Sequence, residues 1–410
     1  MPDSTAVTTP AAVAGLQRRT VTVLAAGQVL GGIAFGATVS LGALLAADLS
    51  GDDSLSGLAT ASVTLGAALC AIPLARLAGR RGRRVALTLG NLLALVGIAT
   101  VITAAAVRSF PLLLAGVVLI GAGNAGNLQS RFAATDLAAS GRRGRDLGTV
   151  VWATTVGGVI GPLMLTPGEV VGQALGMPPL TGSYAFSLVA QVAACILYLT
   201  ALRPDPLLTA QRLARSGEAA REHIVETDRP LAARYAIFAV AGSHVVMASV
   251  MAMTPVHLAH LDPAHVTTIV GVTIALHVFG MYGLSPIFGI LADRWGRIPT
   301  ILLGQGILAA SLVTAAVAPQ SQVAILVALF LLGLGWSAAT VSGAALLTES
   351  TLTAMRPRRQ GRSDTIMTFS AAVGAVLAGV VLGWIGYGGL ALVALVIVAA
   401  VTVLSPYARR

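Results

Sequence analysis

Gly289-Ile290-Leu291-Ala292-Asp293-Arg294-Trp295-Gly296-Arg297 is a charged, glycine-punctuated turn between two long apolar runs. Earlier in the chain, 214 residues back, Ala75-Arg76-Leu77-Ala78-Gly79-Arg80-Arg81-Gly82-Arg83-Arg84 sits in the same setting. Equivalent loops are what a repeated helical membrane unit leaves behind. Gly296 suits a short turn closed to other residues, and Asp293 stands where it can pair with Arg297 or cap the start of a neighbouring helix.

Outward from these turns, apolar runs closed by charges, Pro or Gly predict helices over 20–47, 55–78, 84–107, 111–136, 147–171, 181–202, 232–257, 264–292, 299–318, 321–350, 363–386 and 388–406. Length agrees: with roughly 20 apolar residues per crossing and roughly 14 more for flanks and loop, the chain holds about twelve spans. It has 410 residues, 56% hydrophobic and 10% charged, with a mean hydropathy of +0.85. Soluble domains run about 25% charged, so that class is excluded. The expectation is an all-α membrane protein with 12 transmembrane helices as two six-helix bundles. Residues 1–19 form a tail, 20–202 the first bundle, 203–231 a linker and 232–407 the second bundle. Mixed Arg and Glu from Gln211 to Glu226 suit a surface amphipathic helix in that linker.

A pI near 10.9 would suggest a nucleic-acid partner in a soluble chain; here the positions of the charges exclude it. Every basic residue is Arg, and 25 of the 26 fall in clusters at 18–19, 76–84, 131–145, 203–234, 294–297, 356–362 and 409–410, with Arg108 apart. Twelve spans place all seven clusters on one side, which the positive-inside rule makes cytoplasmic. Both termini are expected inside, in a multi-pass protein of the cytoplasmic (inner) membrane acting as a monomer in the lipid bilayer. Cys70 and Cys195 lie far apart in apolar runs and read as packing residues. No basic region precedes a short apolar core at the N-terminus, so no cleaved leader is expected. Walker, HExxH and nucleophile-elbow patterns are missing, which points away from an enzyme and from a resident cofactor.

The turn at 289–297 resembles the loop signature G-x-L-A-D-R-x-G-R of the major facilitator superfamily; the copy at 75–84 departs from it by Ala75 for Gly and Gly79 for Asp. The resemblance implies the major facilitator fold and transport of a small solute by alternating access. It implies conformational gating by Asp293, Arg294, Gly296 and Arg297, and by Gly82 and Arg83. The fifth span reads Gly148-x8-Gly157-x3-Gly161-Pro162 and resembles the superfamily's antiporter signature, with Leu165 and Thr166 in place of its final two glycines. Gly157 and Gly161 would admit a neighbouring helix closely and Pro162 would bend the span; the same face would serve antiport or packing alone.

Acidic residues avoid the middle of the spans. Asp48, Glu169 and Asp262 fall near one surface; Asp136, Asp293, Glu349 and Asp364 fall near the other. Asn124, Asn127 and Arg131 form a polar stripe on the fourth span, suited to lining a cavity or to hydrogen bonding between helices; Asp136 or Asp364 could neutralise Arg131.

Five of the six histidines, His244, His257, His260, His265 and His277, fall in the seventh and eighth spans or between them. Met247 with Met251, and His277 with Met281, have i, i+4 spacing, so each pair shares a helix face. Counted from Arg234 and Asp293 at about 1.5 Å per residue, the pairs lie about 18–26 Å along their helices and are level. Three thioethers and an imidazole favour Cu(I) as a metal ion; methionines also simply fill helix interfaces. The two motifs together resemble the CcoA-type copper importers, which implies Met247, Met251, His277 and Met281 as ligands and copper as the transported ion. His244, His257, His260 and His265 could collect that ion. The alternative is a proton-coupled antiporter exporting drugs or small metabolites, with the methionines as packing.

Overall fold

The computed structural model describes residues 10–51, 55, 57–215, 228–261 and 266–409, and among them every regular element is helical. Apolar chain in a bilayer must satisfy its own backbone groups, and helices do so within each segment. The order is α1 (Pro10–Ser50), α2 (Gly57–Arg81), α3 (Arg83–Ala106), α4 (Phe110–Ala133), α5 (Arg143–Leu163), α6 (Leu165–Ala174), α7 (Ser183–Ala201), α8 (Pro206–Arg215), α9 (Pro230–Leu261), α10 (Val266–Tyr282), α11 (Ser285–Trp295), α12 (Arg297–Val317), α13 (Gln322–Glu349) and α14 (Arg356–Val403). Among the described residues, nine helical stretches are long and apolar enough to cross a membrane.

The spans map onto these helices with physical differences. Residue Gly386, at φ 73°, kinks the 48-residue α14, whose length of about 72 Å at 1.5 Å per residue is that of two crossings. That kink lies where the sequence divides its last two spans. The predicted span 147–171 is two helices, broken at Met164 two residues past Pro162; proline has no N–H for the helical ladder. Likewise 264–292 is α10 and α11, parted at Gly283 and Leu284 just ahead of Pro286. Helix α1 begins at Pro10 instead of residue 20, and buried Gln17 fixes the extension by donating to the Ala134 carbonyl at 2.6 Å. The linker helix α8 covers 206–215, ahead of the predicted 211–226; residues 216–227 lie outside the described residues.

Two compact units emerge: Met1–Ala138 with Ala153–Glu226 and Thr353–Thr365, and Ala139–Trp152 with Thr227–Leu352 and Ile366–Arg410. They differ from the two contiguous bundles read from the sequence. The first turns of α5 belong with the second unit and those of α14 with the first, held by polar bonds described below.

The first unit packs α4 against α2 and α3, with Ile98, Val101, Leu113, Val117 and Tyr184 in its core. At the α2–α4 crossing, a Cβ on Gly121 would run into the Val63 carbonyl and stand 3.1 Å from the Ala67 nitrogen, so only a residue without a side chain fits. In the second unit, α13 contacts α9, α10, α11 and α12, and its Leu329, Leu332 and Trp336 lie at the centre of the core.

Gly121→Leu is expected to lower the thermal midpoint of the purified protein, since overpacking a close crossing costs about 1–3 kcal/mol. Gly158→Ala, whose added methyl meets no atom within 4 Å, should leave the midpoint unchanged in the same melt.

Candidate functional site

Backbone N–H groups at the start of a helix carry no intrahelical partner and attract a carboxylate. In the second unit Asp293, near the end of α11, meets that need for α5. Its Oδ1 accepts from the Gly144 N–H at 2.9 Å and its Oδ2 from the Arg145 N–H at 2.8 Å. Arg297 donates to the same carboxylate at 2.6 Å and to Glu349 at 3.1 Å. Gly296, at φ 101°, turns the chain between α11 and α12 and brings Arg297 back over Asp293. Ser285 adds a bond to the Gly148 carbonyl at 3.0 Å. These contacts hold 139–152 in the second unit. The Arg294 side chain is exposed.

The first unit holds Thr353–Thr365 differently. Arg83, fully buried, pairs with Asp136 at 2.9 Å and donates to Gln360 of α14 at 2.6 Å. Burial raises the Asp136 carboxyl above the usual carboxylate range, and the Arg83 guanidinium beside it pulls it back down. Arg131 pairs with Asp364, both buried, and its guanidinium also lies over the Phe132 ring at 4.9 Å. The sequence left Asp136 and Asp364 open as partners of Arg131; the fold gives Asp136 to Arg83 and Asp364 to Arg131. Arg131 is therefore part of a buried ion pair. Gly82, at φ 91°, makes the turn equivalent to Gly296.

In the rest of the first unit, Gly157 lets α5 approach α1, its position 2.9 Å from the Gly32 Cα if a Cβ is added. Gln28 of α1 bonds Thr154 of α5 at 3.2 Å beside it. Asn127 packs its amide against α1 at Gly31, an interhelical contact, and Asn124 is half-buried. Gly161 and Pro162 lie in the last turn of α5.

The histidines and methionines of the second unit gather around α13. Met247 and Met281 are buried in the apolar core with Val246, Val250, Leu329, Leu332 and Trp336, and Met251 packs against it. His277, fully buried, bonds through Nδ1 to the Leu329 carbonyl at 2.8 Å, while its Nε2 has no hydrogen-bond partner. His244 lies within α9 and accepts from the Trp336 indole N–H at 2.8 Å, the rings 5.7 Å apart. Tyr282 of α10 meets Trp336 edge-on at 5.7 Å. A histidine, a tryptophan and a tyrosine from three helices thus form one polar aromatic cluster.

His257 is held differently from a cation collector. Its ring stacks on Tyr387 at 4.4 Å, its Nε2 bonds the Pro319 carbonyl at 2.6 Å, and Tyr387 in turn bonds Thr254 at 2.8 Å. Of His260 only the backbone, at the end of α9, is described, and His265 lies outside the described residues. No group of three or more His, Cys, Asp or Glu placed to hold a metal occurs among the described residues. Sequence reasoning missed Trp336, Gln360 and Asp205. A tryptophan inside a long apolar run was the available signal for Trp336; nothing local distinguishes Gln360.

Nine candidate crossings among the described residues, with two matched charged turns, define a polytopic membrane protein. The chain belongs to the Major Facilitator Superfamily, whose family model matches residues 23–282 and 263–409; it is a secondary transporter and not an enzyme. It is 34% identical over 396 residues to the uncharacterized MFS-type transporter YdeG of Bacillus subtilis (strain 168), covering 94% of this chain and 91% of that protein. It is 30% identical over 406 residues to the riboflavin transporter RfnT of Brucella anthropi, covering 95% and 96%. The fold is shared with the human organic anion transporter MFSD10, at a TM-score of 0.76 and 18% identity over 95% of this chain and 99% of that one. It is also shared with the proton:xylose symporter XylE, at 0.74 and 14% over 95% of each.

Arg131→Ala removes the closest countercharge of a buried carboxylate, a change that costs about 3–5 kcal/mol. The expected result is a clear drop in thermal midpoint, with most of it recovered when Arg131→Met is combined with Asp364→Leu.

Proposed function

We propose that this transporter moves a small, planar organic solute across the cell membrane by alternating access, with both termini in the cytoplasm. The observation that carries the reading is the His244–Trp336–Tyr282 cluster. Trp336 is buried, and the half-buried His244 and Tyr282 that contact it offer aromatic faces and polar edges together. Such surfaces hold ring systems by stacking and orient them through a few polar atoms. The 30% identity to a riboflavin transporter supports a heteroaromatic solute. Empty apolar surroundings would not select such a molecule, whereas a polar aromatic cluster does.

A second reading, copper import, is favoured by one observation: the buried His277 Nε2 has no hydrogen-bond partner, and Met247, Met251 and Met281 belong to the core that contains Leu329, the residue His277 bonds. Thioethers and an imidazole suit Cu(I). The antiporter alternative differs from both in direction and in its need for exchanged protons.

One experiment separates them. Vesicles containing the wild type, Trp336→Ala, or the Met247→Leu/His277→Leu double variant, matched for protein content, are assayed for riboflavin and for copper movement in both directions with and without a pH gradient. The expected outcome is riboflavin flux lowered at least about ten-fold by Trp336→Ala and little changed by the double variant. Copper flux lost only in the double variant would overturn the organic-solute reading in favour of copper. Flux of neither above empty vesicles would sink both.

A further inference from the structure

The first copy of the charged turn lacks an anion that the second copy has. Gly79 stands 214 positions before Asp293, the carboxylate that meets two backbone N–H groups and Arg297 in its own unit. Beside Gly79, between α2 and α8, the structure has a cavity. It measures about 470 Å³ and is lined by Gly79 and Arg80 of α2 and by Leu208, Gln211 and Arg212 of α8, within the range of small-ligand pockets. Its charged lining is two guanidinium groups.

The cavity is built on a fixed support. Asp205 caps α8 by accepting from the Leu207 and Leu208 N–H groups, each at 3.1 Å, and its other oxygen accepts from the Arg84 N–H at 2.8 Å. Leu207 is fully buried against Ala78 and Ala86. Both oxygens of Asp205 are thus committed to backbone N–H groups. No acidic residue occurs in the sequence between Asp53 and Asp136, while five arginines fall within 76–84. Arg212 bends back along its own helix with two long bonds, 3.4 Å to the Leu208 carbonyl and 3.4 Å to the Thr209 hydroxyl. Guanidinium groups prefer the short, paired bonds that phosphate oxygens offer.

We propose that this cavity binds a phosphate-bearing anion. Arg80 and Arg212 supply the charge, Gln211 an amide donor, and Leu208 an apolar wall for the ester substituents. At the Arg-rich end of a membrane protein the anion comes from the headgroup of an acidic phospholipid or from free phosphate in solution. Either source has the same recognition chemistry, and the bound anion ties α8 to the end of α2.

The test uses the purified full-length protein in detergent, with phosphatidylglycerol, phosphatidylcholine or inorganic phosphate added. Retained lipid is read by native mass spectrometry and stability by the thermal midpoint. Two site variants are compared with the wild type. Arg80→Gln/Arg212→Gln removes the charge. Gly79→Asp adds a negative charge at the edge of the lining, and its Cβ has room, with the nearest atoms being those of Pro357 at 3.4 Å. Arg18→Gln/Arg19→Gln serves as a control for diffuse basic attraction. The proposal expects phosphatidylglycerol to bind the wild type and the control at least about ten-fold more tightly than either site variant. A midpoint raised by inorganic phosphate in the wild type alone, with phosphatidylglycerol acting no better than phosphatidylcholine, would support the site with free phosphate as its occupant. Equal binding of both anions by the wild type and both site variants would overturn it.

Discussion

A guanidinium buried at the end of a helical unit must find an anion, because the unpaired charge would cost several kcal/mol. Arg83 and Arg131 impose that requirement on the first unit. Asp136 meets the first from the same sequence half, but Asp364 and Gln360 come from the start of α14, more than 230 residues later in the chain. The polar bonds at the Arg-rich end therefore decide which stretches of chain form a compact unit. The second unit solves the converse problem, as the N–H groups at the start of α5 need an acceptor and Asp293 supplies it. Thr353–Thr365 and Ala139–Trp152 are held by these charges together with close packing, Gly361 against Ala75 and Gly144 against Gly289.

The two turns share one pattern and differ in chemistry. Arg297 with Glu349 repeats Arg83 with Asp136 one unit later, and the glycines at 82 and 296 make the same positive-φ turn. At the acid position the copies part. Asp293 binds backbone and arginine, whereas Gly79 carries no acid and borders a cavity lined by Arg80 and Arg212. Asp205 takes up a related task from the linker, capping α8 and meeting the Arg84 N–H. At that one position the second unit carries an acid and the first does not.

Packing and recognition are separate within the second unit. Met247 and Met281 lie among aliphatic side chains, where a flexible thioether fills irregular space well. The directional groups lie beside them on α13, with Trp336 bonded to His244 and met edge-on by Tyr282. His257 serves a third role, clamping the Pro319 carbonyl and Tyr387 ring together. His244, His257 and His277 thus have three different partners, the Trp336 indole, the Pro319 carbonyl and the Leu329 carbonyl, which residue type alone does not separate.

The amino-acid sequence by itself determined the helical class and the repeated charged turn. These follow from local quantities, the length of apolar runs and the placement of charges and glycines. It also singled out Arg83, Arg131, Asp293 and Arg297, since charges next to spans are few and each needs a partner. The tertiary structure decided the rest. Whether Arg131 pairs with Asp136 or Asp364, that the first turns of α5 and α14 change units, and that Trp336 meets His244 all depend on which helix faces touch. A span such as α13 is apolar around its whole circumference, so no polar stripe marks its inner face. Only the packing of neighbours, set by close crossings such as Gly121 against Val63, fixes that rotation.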